Sequence, residues 1–337
     1  MTDQETIPEK LEDFKPSGNS YRDTGKYVLF GVDSDGCVDK GMRYKHGGPF
    51  PRAAIEIFNL GAVAEALRIA WTFVNEIEDR GCPRFKALAQ SVDRVREMPP
   101  VQEAEENNVA TVPDLAYLKA YLKNIAEEKG FGDNVLNDYI SGLSEGEEKQ
   151  ELELVAEWSR KVNGYVDTDC PYIKPFENAI NAIKFAHTEG IDSMIVSGTP
   201  EEHLRETWKQ HGLLGSILGV FGRESGKKND HLNAAMQAAE RDLGRKYDFA
   251  VMFGDAPGDD KKRKAASEES EVEIRFMPVR VGYEQEDWAW FSENFLKPGK
   301  VLDYSEEAEK ERVEMFYQNL DRPWRPEADI TMLFPLG

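Results

Sequence analysis

Residues 27–36 read YVLFGVDSDG: a six-residue apolar run, Tyr27 to Val32, that stops abruptly on Asp33, Ser34, Asp35 and Gly36. A short continuous apolar run closed by acidic and glycine residues is the pattern of a strand buried on both faces of a parallel sheet. In open parallel sheets ligands bind outside the carboxyl ends of the strands. The residues that close this run are therefore the first place to look for chemistry. Side chains two apart in an extended segment point to one side. Asp33 and Asp35 are thus predicted to face one small volume before Gly36 turns the chain.

Downstream of Pro175 the same punctuation recurs. The pattern alternates between helices and short apolar runs, with strands predicted at Ser193–Val196, Ile217–Phe221, Phe249–Phe253 and Ile274–Val279. Helices fall between them through Ile180 and Ile183, after Pro200, over about 229–243 and over about 259–266. Strands separated by single helices give right-handed βαβ units and a parallel sheet. Each strand end again carries polar groups. Ser197, Gly198 and Thr199 close the second, Gly226, Lys227 and Lys228 follow the third, and Gly254, Asp255, Ala256, Pro257, Gly258 and Asp259 follow the fourth.

Between the first strand and this array lies a block of different character. Val63, Leu67, Ala70, Val74 and Ile77 repeat at spacings of four and three, a one-sided helical stripe. Leu115, Leu118, Leu122 and Ile125 form another. Leu152, Val155, Ser159 and Val162 form a third, with Trp158 beside it. Segments 98–113 and 141–148, rich in Pro, Gly, Asn and acid, read as exposed connections. The predicted architecture is α/β: a Rossmannoid parallel sheet flanked by helices over 27–40 and 176–302, with an all-α insertion over 41–175. Residues 1–26 read as a flexible leader, and 303–337 as an acidic helix with an extended tail.

Composition narrows the function. With 42 basic and 63 acidic side chains the formal charge is −21, which disfavours nucleic acid and anionic lipid as partners. No apolar run reaches the roughly 18 residues of a spanning helix. The leader lacks the basic start and apolar centre of a secretory signal. Three cysteines without paired spacing argue against a disulfide framework or zinc site. A reducing, cytoplasmic setting is expected. A Walker loop, a GxGxxG turn after a strand and an HExxH helix are all absent.

VDSDG at 32–36, VSGT at 196–199, a lysine within GKKNDHL at 226–232 and FGDAPGDD at 253–260 stand in that order at successive strand ends. With these motifs the chain resembles the haloacid dehalogenase superfamily of phosphohydrolases. That resemblance implies a Rossmannoid core with a helical cap inserted after the first motif, Mg²⁺ as cofactor, and phosphoryl transfer to the first aspartate. By the same resemblance Asp33 is the nucleophile and Asp35 the general acid and base. Ser197 and Gly198 bind phosphate, Lys228 clamps it, and the metal residues are Asp33, Asp35, Asp255 and Asp259. Cys37 stands where the superfamily usually has Thr. Two choices stay open: Lys228 is favoured over Lys227 because it leads into a helix, and Asp259 over Asp260.

Elementary electrostatics asks for the same residue types. A carboxylate about 4 Å from a phosphate meets roughly 4 kcal/mol of repulsion per charge pair at an effective dielectric of 20. Two such pairs, about 8 kcal/mol, amount to between five and six powers of ten in rate. Lysine and a divalent cation supply the opposing charge.

The substrate implied is a small phosphorylated metabolite, selected by the insertion. Arg43 belongs to a basic cluster with Lys40, Lys45 and His46, which reads either as an anion-greeting surface or as a solvated loop. Arg80 and Arg84, at helical spacing, either grip an anion or pair with Glu76 or Asp79. Hydrolysis is the first reading. A sugar phosphomutase or phosphotransferase uses the same chemistry, and a phospho-receiver module, which would need neither Asp35 nor the insertion, stands third.

Overall fold

A computed structural model describes residues 8, 10–22, 24–170, 172–297 and 300–327. Five strands form one parallel sheet: β1 (Val28–Val32), β2 (Asp192–Val196), β3 (Gly219–Phe221), β4 (Phe249–Gly254) and β5 (Ile274–Pro278). Their order across the sheet is β3-β2-β1-β4-β5. The first strand, isolated in sequence from the others, is central in space, with Phe30 in register with Ser193 on one side and Val251 on the other. Chain order reverses between β1 and β4, so the crevice at their carboxyl ends is where such a sheet receives a ligand.

Both faces of the sheet are covered, which is why its strands are apolar throughout. Val28, Phe30 and Val32 point into a layer completed by Ile183, Trp208, Trp288 and Phe291. Leu29 points the other way, into a layer with Leu232, Ala235, Met252 and Phe276. The helices behind these layers include Glu177–Thr188, Glu201–Gln210, Lys228–Leu243, Pro257–Ser270 and Glu284–Asn294. The fold is an α/β Rossmannoid sheet with a helical insertion.

By its contacts the chain divides into two units, Met1–Met42 with Tyr172–Asn319, and Arg43–Pro171 with Leu320–Gly337. Within the sheet unit, the segments on either side of the insertion pair with each other. Lys40 N–H donates to the Lys174 carbonyl at 3.0 Å, and Phe176 N–H to the Val38 carbonyl at 2.8 Å. The stretch expected to be a loose leader contributes two fully buried aromatics. Phe14 packs edge-on against Phe221, and the Tyr21 hydroxyl donates to the Lys297 carbonyl. The C-terminal helix runs Glu306–Leu320, and the tail beyond 327 lies outside the described residues.

The second unit is helical. Its core gathers Phe50, Trp71, Phe85 and Trp158, with Trp71 and Trp158 ring centres 5.9 Å apart. The first and third predicted stripes are buried as expected. The second is not: Leu122 and Ile125 are only half-buried, while Tyr121 and Ala126 are buried in their place. The cause is a widened π-helical turn over Leu122–Ala126, which rotates the following side chains off the 3.6-residue period. Segment 98–113 is also more ordered than predicted. Pro99 and Pro100 open a helix, Pro99–Glu106, in the first-turn positions where their missing N–H costs no hydrogen bond.

Candidate active site at the strand ends

Asp33 follows β1 directly, and its N–H donates to the Phe253 carbonyl of β4 at 3.0 Å, extending the ladder by one residue. That bond fixes its backbone at the mouth of the β1/β4 crevice. Asp255 follows β4. Asp259 lies in the first turn of the helix Pro257–Ser270, where its Oδ2 accepts the N–H groups of Asp255 and Ala256, each at 3.1 Å. Gly254 makes this turn possible, since a Cβ there would sit 2.5 Å from Asp259 Oδ2. Carboxylate oxygens of Asp33, Asp255 and Asp259 lie within 4.8 Å of one another, and all three residues are buried.

Lys228 opens the helix Lys228–Leu243, and its Nζ is 2.8 Å from Asp33 Oδ2 and 2.6 Å from Asp259 Oδ1. Burial alone would pull the lysine pKa down, but Asp259 and Asp33 outweigh it and raise the value above that of a free lysine. The ammonium stays charged. The Asp33 carboxyl is pushed up by burial, with Lys228 opposing and Asp259 adding to the rise. Three carboxylates grouped together, two of them on the one ammonium, outnumber it in a buried place. Hard oxygen donors in that arrangement suit a small divalent cation such as Mg²⁺. Asp33, Asp255 and Asp259 are the residues that can hold it.

Lys227 is exposed, and its N–H is capped by Asp230 Oδ2 at 2.8 Å. Asp260 points away from the cluster, to Arg263 Nε at 2.9 Å and Lys264 Nζ at 2.7 Å. Ser197 follows β2 and is buried, with its N–H on the Phe221 carbonyl and its Oγ accepting the Thr199 N–H at 3.3 Å. Gly198 is exposed, with open space where a side chain would stand.

One expectation needs correcting. Asp35 does not join the carboxylate group that could hold a metal; its Oδ2 instead accepts the Thr199 hydroxyl at 2.8 Å. β1 ends at Val32 and the residues that follow turn, with Val38 N–H bonded back to the Ser34 carbonyl at 2.8 Å, so Asp35 lies beyond the strand. Thr199 was visible in VSGT, yet nothing local in the sequence pairs it with a residue 164 positions away.

The basic segment after Lys40 is a helix, Gly41–Gly47, rather than a loop. Arg43 is exposed on it, and His46 stacks on Phe50 at 4.5 Å and accepts the Trp71 indole N–H at 3.3 Å. Arg80 forms a buried ion pair with Glu76. Arg84 donates to Ser159 Oγ at 3.0 Å and Asn163 Oδ1 at 2.7 Å. The two arginines do not share a helix turn, because the helical run through Val74–Glu78 stops and a new helix opens at Arg84 behind Pro83.

No known protein-family profile and no curated protein matches the chain. Among solved structures, Protein Tyrosine Kinase A of Mycobacterium tuberculosis aligns at 11% identity and a TM-score of 0.37, over 74% of this chain and 83% of that one. A "putative phosphoglycolate phosphatase" from Lactobacillus delbrueckii subsp. bulgaricus aligns at 15% identity and the same TM-score, over 74% and 85%. At this level of likeness neither contributes to the functional argument, which rests on the residues themselves.

Proposed function

We propose that this protein is a Mg²⁺-dependent phosphomonoester hydrolase of the haloacid dehalogenase type, acting on a small phosphorylated metabolite. The observation that carries the reading is the buried group of Asp33, Asp255 and Asp259 around Lys228 at the β1/β4 strand ends. A carboxylate in so negative a surrounding is a poor place for an anion unless cations accompany it. Lys228 supplies one positive charge beside Asp33. Asp33, Asp255 and Asp259 would hold a Mg²⁺, which when bound supplies two more against the phosphate–carboxylate repulsion.

With the repulsion cancelled, Asp33 Oδ attacks phosphorus and the bond to the leaving oxygen breaks, giving an aspartyl phosphate. Asp35 gives its proton to the departing alkoxide. Water then attacks the same phosphorus, Asp35 takes a proton from it, and inorganic phosphate leaves with Asp33 restored. Ser197, buried beside this crevice, offers a hydroxyl to the phosphoryl oxygens.

A panel of phosphomonoesters assayed with purified protein tests this. Phosphate release without any sugar acceptor, silenced by EDTA, restored by Mg²⁺ and abolished by Asp33→Asn, is the expected outcome. Release that survives Asp33→Asn, or no release from any ester, overturns it.

A further inference from the structure

We propose that Thr199 and Gly41 are positioning residues for Asp35, the first holding one carboxylate oxygen by a hydrogen bond and the second leaving, by its missing side chain, the space the other oxygen occupies, in the orientation the proton-transfer step requires; the inference rests on the hydrolase reading above. Asp35 sits in an irregular turn and is half-buried, so its backbone alone does not fix χ1 and χ2. Neighbours must do so. On one side Thr199 Oγ1 donates to Asp35 Oδ2 at 2.8 Å. Thr199 is itself well anchored: its N–H bonds Ser197 Oγ at 3.3 Å and its carbonyl accepts the Arg223 N–H at 3.3 Å. A β-branched side chain has restricted χ1, so the hydroxyl is delivered from a defined direction.

On the other side stands Gly41, the first residue of the helix Gly41–Gly47. Its N–H is held by Asp39 Oδ1 at 2.8 Å, and Asp39 in turn takes the Gly36 N–H on its carbonyl at 2.9 Å. A Cβ built on Gly41 would lie 1.9 Å from Asp35 Oδ1 and 2.8 Å from Asp39 Oδ1. Every other residue at 41 would therefore displace the Asp35 carboxylate or the helix start. The two restraints come from chain segments far apart in sequence and meet on one side chain. A carboxyl that must donate to a leaving oxygen and later accept from water gains from being held within hydrogen-bond reach of both.

The test separates orientation from general damage. Thr199→Val removes the hydroxyl at nearly constant volume, Thr199→Ser keeps it, and Gly41→Ala pushes from the opposite side. With an alkyl phosphate, whose leaving group needs a proton, kcat of Thr199→Val and Gly41→Ala is expected to fall about tenfold or more, a fraction of what general acid catalysis contributes. With p-nitrophenyl phosphate, whose leaving group needs little help, kcat changes much less, KM stays unchanged for both substrates, and Thr199→Ser recovers the alkyl activity. Crystal structures of the wild type, Thr199→Val and Gly41→Ala read the Asp35 rotamer directly, whatever the turnover. Equal losses for both leaving groups, or an Asp35 side chain that stays in place in both variants, overturns the positioning role. Absence of phosphate release from the wild type counts against the hydrolase reading alone, because the crystallographic comparison still decides the positioning.

Discussion

The sheet unit contains two clusters of buried charge, and they are built on opposite principles. At the carboxyl ends of β1 and β4, Asp33 and Asp259 share Lys228, with Asp255 grouped beside them. Beside β5, Asp260, Asp287 and Glu309 are matched by Arg263, Lys264, Arg275, Arg280 and Arg312. There Glu309 reaches from the C-terminal helix to cap the Phe276 N–H at 2.8 Å while pairing with Arg263 and Arg275. Asp287 takes the Arg280 N–H at 2.7 Å and is gripped by two guanidinium groups. The second cluster is closed, each carboxylate gripped by two basic side chains, and it fastens a helix over the edge strand of the sheet. In the first, carboxylates outnumber the lysine in a buried place. On the proposed reading a cation and a phosphorylated substrate complete the first cluster, and the contrast would then separate a site from a staple within one unit.

The largest effect that would break this contrast is on turnover. On the proposed mechanism Asp33→Asn removes the attacking charge and almost no volume, so phosphate release should drop to background while the melting temperature holds. Charge neutralisation should then act with opposite signs on the stability of the two clusters. Glu309→Gln takes from Arg263 and Arg275 the buried carboxylate they share, leaving them Asp260 and the exposed Glu273, and is expected to cost about 3 kcal/mol, the low end of the usual penalty for breaking a buried pair. Asp255→Asn in metal-free protein relieves repulsion and is expected to leave stability unchanged or raise it, the trade between stability and activity common at functional sites. Urea unfolding of both variants reads the signs. Destabilisation of similar size in both would erase the distinction between the clusters.

The open cluster was legible in the sequence and the closed one was not, for a physical reason. Two members of the open cluster, Asp33 and Asp255, stand directly at strand ends, where an apolar run stopping on an acidic residue marks the position, and parallel sheet geometry brings such ends together. Asp33, Asp255 and, beside them, Ser197 stand out that way, whereas Lys228 and Asp259 lie in the first turns of helices and were singled out by motif order and spacing. Glu309 and Asp287 lie within acidic helices that resemble any solvated face, and their arginine partners come from other elements. Charge pairing across elements leaves no local period. The same holds for Phe14 and Tyr21, single aromatics in a polar stretch whose burial depends on distant surfaces. Thr199 and Gly41 were hidden in another way, since each gains its meaning from where Asp35 turns after β1 ends.

Smaller effects sharpen the comparison at the edge of the open cluster. His231, three residues after Lys228 on the same helix, is fully buried, and burial lowers its pKa to about 4, with Asp230 opposing and Lys228 adding to the drop. A base whose folded pKa lies below its unfolded value of about 6.5 binds fewer protons when native. Its neutral form therefore supports stability above about pH 6.5, and that support is lost as pH falls toward 4, by about 3 kcal/mol for a shift of this size. His231→Phe should flatten this part of the stability profile. Identical slopes for wild type and variant between pH 6.5 and 4 would place the acid sensitivity elsewhere.

The smallest expected effect bears most directly on what completes the open cluster. A ligand that binds only the folded protein stabilises it by about 2.7 kcal/mol at a hundred times its dissociation constant. Mg²⁺ should therefore raise the melting temperature by several degrees in the wild type. Asp255→Asn should lose most of that rise, because one of three carboxylates is gone, whereas Glu309→Gln should show the rise in full from its lower starting point. An equal concentration of NaCl supplies the control, since simple screening would act on both clusters alike. If Mg²⁺ raises the Asp255→Asn protein as much as the wild type, the surplus charge at the β1/β4 ends is not where the cation goes.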